Sequence, residues 1–152
     1  RKINNIFRII LMNKIKAFKI KLTPTSCQLY SSKVSAGFPS PADDFVDGEL
    51  NLNDHLIQNK VATFVVKATG ESMKDVGIFS NDLLVVDRSI TPKSGHIVIA
   101  CIQSELLVKR LKIINNKCFL LAENKEFEPI EVKPDDELII WGVVTRVIHS
   151  LV

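Results

Sequence analysis

The first 42 residues of the chain lack any acidic side chain, although they carry eight lysines and arginines. The first carboxylate is Asp43, and residues 43–152 hold 12 basic and 17 acidic side chains. The modest net charge of +3 therefore combines a basic start with a mildly acidic remainder. This asymmetry predicts two parts, a flexible basic arm over residues 1–42 and a globular domain over residues 43–152.

The sequence also lacks an apolar run of the roughly 18–20 residues that a membrane span needs. The best candidate, Ile6–Met12, is interrupted by Arg8 and followed by four lysines. We therefore expect no membrane association and no secretory signal. A basic, acid-free start is also typical of transit peptides and of arms that contact nucleic acid or anionic lipid, but a flexible leader is the simpler interpretation.

Cysteine and histidine are scarce, and neither shows the spacing of metal ligands. Cys101 and Cys118 lie in apolar runs, where a small buried thiol is more common than a disulfide. Free thiols fit a reducing compartment, so we expect a cytoplasmic protein. The three histidines are far apart in sequence, and we expect neither a metal site nor a cofactor.

Residues 22–42 are rich in serine, threonine and proline and show neither helical nor strand periodicity. Pro39 and Pro41 favour extended geometry for the residue before each of them. The pattern predicts an extended, accessible linker. An extended segment is also what a protease cleft accepts, because its backbone can pair with the edge of a sheet.

Residues 43–152 change to short β-branched and aliphatic runs separated by turn residues. One short helix is expected over Asn53–Asn59, with Asn53 or Asn51 as its cap. Short strands at this spacing predict a mostly β, antiparallel sandwich or barrel. The predicted strands are Val61–Ala68, Leu83–Asp87, His96–Ile102, Leu106–Ile113, Cys118–Ala122 and Leu138–Ile148.

A candidate nucleophile follows the first of these strands, in the run Gly70–Met73. A serine just past a strand end, preceded by glycine, can present its hydroxyl beside backbone N–H groups that hold an oxyanion. The signal is weak alone, because such turns are common. Lys74 also stands where a nucleophile elbow has its second glycine.

Lys109 is the candidate base, because a desolvated lysine can lose its proton at neutral pH. It lies in the otherwise apolar run Leu106–Leu111. Strand alternation puts Lys109 on one face with Leu107 and Leu111, and Arg110 on the other. Composition alone favours the alternative that both charges face solvent along an edge strand.

Three motifs that occur in order along the chain favour the catalytic interpretation of Ser72 and Lys109. The segments Ala36–Ala42, Gly70–Met73 and Val108–Leu111 together resemble the LexA-like self-cleaving serine proteases, and most strongly their UmuD-type members. The resemblance covers residues 34–149 and extends to Asn81–Asp87 and Trp141–Val144. It implies a LexA- and signal-peptidase-like antiparallel β domain.

The resemblance also implies a Ser–Lys dyad. Ser72 is expected to be the nucleophile and Lys109, neutral in its pocket, the general base. The backbone N–H groups of Glu71 and Ser72 are expected to form the oxyanion hole. The scissile bond is expected between Ala36 and Gly37, a small residue followed by glycine.

For partners, the resemblance implies a homodimer whose self-cleavage is stimulated by the RecA filament on single-stranded DNA. The trimmed product is expected to join a UmuC-type polymerase subunit, possibly with the sliding clamp, in the translesion synthesis of the SOS response. The first 33 residues match no part of the family and show no helix-turn-helix pattern, so we expect no sequence-specific DNA binding.

Two other functions stay open at this point. One is a dimeric scaffold that binds polymerase and clamp without cleaving. The other is a signal-peptidase-like protease that acts on other proteins, which the missing membrane anchor disfavours. Cleavage of the chain at Ala36–Gly37 distinguishes both from self-processing.

Overall fold

The structure, a computed structural model, describes residues 26–30 and 46–152. These described residues divide into two compact units, one within residues 21–58 and one formed by residues 59–152. The predicted arm before residue 26 lies outside the described residues. No helix among the described residues is long and apolar enough to cross a membrane.

The smaller unit contains a two-stranded antiparallel sheet of β1 (Ser26–Tyr30) and β2 (Val46–Asn51), followed by α1 (Leu52–Leu56). The Asn51 side chain caps α1 by accepting hydrogen bonds from the N–H groups of Asn53 (3.0 Å) and Asp54 (3.4 Å). The structure thus confirms the predicted helix and Asn51 as its cap. The helix begins and ends earlier than the predicted Asn53–Asn59.

The prediction that residues 22–42 contain no regular element is wrong for β1. Its five residues are polar or unpatterned on their own, and they form a strand because β2 pairs with them. Ser26 lies opposite Asn51, 25 positions later in the chain. Local periodicity therefore does not indicate which segment pairs with β1.

The larger unit contains a seven-stranded antiparallel sheet in the order β3-β4-β9-β5-β6-β7-β8. This confirms the predicted mostly β, antiparallel fold class. All six predicted strands are present within two residues of their expected ends, whereas β8 was not predicted. The strands are β3 (Thr63–Lys67), β4 (Leu83–Asp87), β5 (Ile97–Ile102), β6 (Glu105–Ile114), β7 (Lys117–Leu121), β8 (Ile130–Val132) and β9 (Ile139–Ile148).

Two clusters of buried apolar side chains stabilise the sheet. Val98 and Ala100 belong to one cluster and Ile99 to the other, so the clusters lie on opposite faces of β5. Each fully buried aliphatic side chain contributes roughly 1.5–3 kcal/mol relative to an exposed one. Met73 belongs to the Ile99 cluster and is 1% exposed. Met73 is therefore a core residue, and it anchors the loop that carries Ser72.

Candidate active site

Ser72 lies in the connection between β3 and β4, between a left-handed glycine and a buried methionine. Gly70 has φ +82°, a conformation that side-chain-bearing residues rarely adopt. Met73 is inserted in the core, and a short 3-10 turn follows over Lys74–Val76. These anchors leave the Ser72 side chain half-buried and the Glu71 side chain exposed.

Lys109 projects from β6, which lies between β5 and β7 in the sheet. It is 8% exposed, and Leu111 on the same side of the strand is fully buried. The alternative that both basic residues face solvent along an edge strand is therefore wrong. Arg110 is half-buried as well, and it forms an ion pair with Glu123 and donates to the Gly95 carbonyl at 2.5 Å.

The fold brings the two predicted site residues together. Lys109 Nζ lies 2.6 Å from Ser72 Oγ, although the residues are 37 positions apart. Both line a cavity of about 240 Å³, whose other walls come from the end of β3, from Leu84 and Ile99, and from Leu106–Val108. A hydroxyl in hydrogen-bond contact with an amine is the arrangement needed for proton transfer between them.

Burial lowers the pKa of Lys109 below that of an ordinary lysine. The cause is desolvation, which disfavours the charged ammonium form. Among the described residues no carboxylate forms an ion pair with Lys109 to offset this effect. The centroid of the Phe127 ring lies 5.9 Å from Nζ. The site thus shifts Lys109 toward the neutral amine, which is the form that can accept a proton.

The backbone around Ser72 offers unpaired donors. Within residues 26–30 and 46–152, the N–H groups of Glu71 and Ser72 have no hydrogen-bond acceptor. The Glu71 carbonyl, in contrast, accepts from the Asn124 side-chain amide at 3.0 Å and from the Lys74 N–H at 3.3 Å. The two N–H groups are therefore free to bind a developing oxyanion.

Sequence reasoning missed Asn124 and Phe127, which contact this site from the loop after β7. Neither lies in a strand pattern or in a motif that suggests chemistry. Asn124 is 53 positions from Glu71, so no local signal identifies the contact.

The scissile pair, the cysteines and the metal ligands are the other features on which the sequence made predictions. Ala36 and Gly37, the expected scissile pair, lie outside the described residues. The three cysteines are free thiols, of which Cys118 is buried, and desolvation raises its pKa. Within the described residues no three histidine, cysteine or carboxylate side chains are grouped as metal ligands.

A serine hydroxyl and a desolvated lysine amine in one cavity of an antiparallel β domain are typical of serine peptidases that use lysine as the base. Comparison with known proteins gives the family. Residues 28–145 match the peptidase S24-like family, so the match begins before residue 34, where the resemblance was expected to start. Since this match covers more than half of the chain, the protein belongs to that family.

Individual relatives agree with this assignment. The chain is 44% identical to protein MucA of Salmonella typhimurium over 128 residues, which cover 84% of this chain and 85% of that protein. It is 43% identical to protein ImpA of Shigella flexneri over 127 residues, 80% of this chain and 82% of ImpA. The LexA repressor of Pseudomonas chlororaphis is 37% identical over 137 residues, 90% of this chain and 67% of the repressor. The expected relationship to UmuD-like and LexA-like proteins is thereby confirmed.

Proposed function

We propose that this chain is a UmuD-like self-cleaving serine protease that cuts its own Ala36–Gly37 bond. The observation that carries the proposal is the 2.6 Å contact between the Ser72 hydroxyl and the desolvated Lys109 amine. Membership of a serine peptidase family supports the same chemistry. Ser72 acts as the nucleophile and Lys109 as the general base.

Acylation begins when neutral Lys109 takes the hydroxyl proton of Ser72 and Oγ attacks the carbonyl carbon of Ala36. The carbonyl oxygen becomes an oxyanion, which the N–H groups of Glu71 and Ser72 bind. The intermediate then breaks its C–N bond, and the Lys109 ammonium returns the proton to the departing amine of Gly37. The products of this step are an ester on Ser72 and a free fragment that begins at Gly37.

Hydrolysis of the ester repeats the proton transfers. Lys109 removes a proton from water, and the resulting hydroxide attacks the Ala36 carbonyl carbon of the ester. The C–O bond to Ser72 breaks, and Oγ recovers a proton from Lys109. Lys109 must be neutral at the start of both acylation and ester hydrolysis, so its lowered pKa favours both steps.

The cavity has the strand edges that an extended substrate needs. β3 is the outer strand of the described sheet, and its residues Val66 and Lys67 line the cavity. On the other side, Leu106–Lys109 pair with β5 and with no other described strand, because the β7 pairing begins at Arg110. A peptide in extended conformation can pair its backbone with such edges, as the segment around Ala36–Gly37 is expected to do.

A substrate within the same chain explains how a cavity of about 240 Å³ can suffice. Tethering gives the scissile bond a high effective concentration, so little binding energy from a specificity pocket is needed. The rate then depends on how often the segment occupies the cavity. An activator that raises this population accelerates cleavage without supplying a catalytic group.

Similarity to MucA, ImpA and LexA supports a wider role in the SOS response. In this proposal the RecA filament on single-stranded DNA is the activator. The trimmed chain forms a homodimer that serves a UmuC-type polymerase in error-prone translesion synthesis, with the sliding clamp as a further contact. Light scattering tests the dimer, and a monomer mass at micromolar concentration would contradict it.

Incubation of the purified protein at about pH 10, near the ordinary pKa of lysine, tests self-cleavage. We expect a fragment whose mass places its first residue at Gly37. The Ser72→Ala variant is the matched control, because it removes only the hydroxyl oxygen and should stay intact. A folded wild-type chain that stays whole after long incubation would refute the proposal.

A further inference from the structure

Asn124 is a buried polar residue that the chemistry above does not use. It lies in the loop after β7 and is 5% exposed. Its side-chain oxygen accepts from the Glu126 N–H at 3.0 Å, and its side-chain amide donates to the Glu71 carbonyl at 3.0 Å. Both ends of the side chain are thus occupied, and one of them contacts the residue before the candidate nucleophile.

The Glu71 carbonyl and the Ser72 N–H belong to the same peptide unit. Because a peptide unit is planar and trans, its C=O and N–H point in opposite directions. Any group that fixes the carbonyl therefore fixes the direction of the N–H. Asn124 and the Lys74 N–H hold this carbonyl, which leaves the Ser72 N–H directed away from them.

The same loop holds the chain on the other side of Ser72. The Asp75 N–H donates to the Glu123 carbonyl at 2.9 Å. The Glu123 carboxylate in turn forms an ion pair with Arg110, the residue next to Lys109. Residues 123 and 124 thus connect the loop that carries the nucleophile with the strand that carries the base.

We propose that Asn124 is a positioning residue that orients the Ser72 N–H toward the oxyanion. This inference rests on the proposed function, since it assigns Asn124 a part in that reaction. The side chain acts through the Glu71–Ser72 peptide and touches no reacting atom. Its contribution is realised when the oxyanion forms, whereas the Ser72–Lys109 contact does not depend on it.

Asn124→Asp is the sharpest test, because a carboxylate can still accept from Glu126 but cannot donate to Glu71. Loss of an oxyanion donor slows acyl transfer by about 100- to 1000-fold. The substitution leaves the Ser72 N–H donor in place and only loosens its orientation. We therefore expect self-cleavage to slow by a smaller factor, about tenfold. The pH midpoint of cleavage should not move in Asn124→Ala, because that change introduces no charge near Lys109. Asn116→Asp, the same change in the exposed turn between β6 and β7, is the control and should cleave normally.

A second measurement separates orientation from loss of structure. In a Ser72→Cys background, iodoacetamide alkylates the introduced thiolate by forming a C–S bond and expelling iodide, so no oxyanion arises. Peptide mapping distinguishes this product from alkylated Cys27, Cys101 and Cys118. We expect Asn124→Ala, which adds no charge beside the thiolate, to leave the alkylation rate at position 72 unchanged.

The outcomes are distinguishable. Wild-type cleavage rates in both Asn124 variants would overturn the role of Asn124 and leave the dyad intact. Alkylation at position 72 that falls in parallel with cleavage would also overturn it, because the residue would then support the site as a whole. A folded wild-type chain that does not cleave contradicts the proposed function itself.

Discussion

The larger unit contains two polar pairs, Ser72–Lys109 and Asp82–His149, each of which joins side chains that are distant in sequence. Ser72 and Lys109 are 37 positions apart and 2.6 Å from each other. Asp82 and His149 are 67 positions apart, and Asp82 Oδ1 lies 2.5 Å from His149 Nδ1. Each pair also contains a buried ionisable group, since Lys109 is 8% and Asp82 2% exposed.

The pairs differ in which protonation state the protein supports. A hydrogen bond from the Phe79 N–H at 2.8 Å, together with the contact to His149, lowers the pKa of Asp82 and stabilises its charged form. Burial lowers the pKa of Lys109, which forms no ion pair with any described residue, and this shifts the amine toward its neutral form. Burial alone therefore does not make a group reactive. A candidate base is a group whose charged form the site leaves unsupported.

The Asp82 pair has a structural position. The Asp82 carbonyl accepts from the Ala68 N–H at 2.8 Å, and the Asn81 N–H donates to the Ala68 carbonyl at 2.9 Å. These bonds close the connection from β3 to β4, within which Ser72 lies. His149 directly follows β9, so the pair ties the end of that strand to the same connection.

The largest expected difference between the pairs is in self-cleavage. Ser72→Ala and Lys109→Ala should each slow cleavage at Ala36–Gly37 by at least about a thousandfold, because the nucleophile or its base is lost. His149→Ala should leave the rate within about threefold, since that pair holds no reacting group. Mass analysis after alkaline incubation measures all three variants. Cleavage by Lys109→Ala at the wild-type rate would remove lysine from the mechanism.

Lys109→Arg sharpens the contrast between a donor and a base. Arginine can still donate a hydrogen bond to Ser72 Oγ, but its guanidinium does not lose its proton in proteins. We expect cleavage to be lost at every pH, by at least about a hundredfold. A rate that recovers with rising pH in this variant would show that proton acceptance by residue 109 is not required.

The pH profile of the wild-type chain follows from the lowered pKa of Lys109. Only the neutral amine accepts the Ser72 proton, so the cleavage rate should rise with pH and level off once Lys109 is neutral. The midpoint should lie below about 10.4, the ordinary value for lysine. A midpoint at or above that value would mean that burial does not tune the base.

The smallest effect is expected on stability, at the Asp82 pair. Because the folded pKa of Asp82 is lowered, its charged form stabilises the fold above the unfolded pKa of about 3.9. This stabilisation is lost as pH falls through the folded pKa. Wild type should therefore exceed Asp82→Asn in free energy of unfolding at neutral pH, and the difference should shrink in acid.

Urea unfolding at several pH values measures this difference. Asp135→Asn, which changes an exposed carboxylate, is the control and should show little pH-dependent difference from wild type. A gap between wild type and Asp82→Asn that stays constant from neutral pH to about pH 2 would contradict the linkage.

The strands of the larger unit were largely predictable, because alternation and turn residues are local properties of the sequence. Leu83–Asp87 has the predicted bounds. The strands β1, β2 and β8 were missed, since their short sequences become strands only when they pair, β1 with β2 and β8 with β7. Local patterns report which segments can be strands, and they do not report which partner each will find.

The site divides in the same way. The amino-acid sequence determined that one serine follows a strand and that one lysine interrupts an apolar strand, and three motifs in order linked them to a family. Tertiary structure alone decided that Lys109 is buried in contact with Ser72, and that Asn124 reaches the Glu71 carbonyl. The physical reason is that burial and hydrogen bonding depend on strand order and loop approach, which arise from contacts between residues dozens of positions apart.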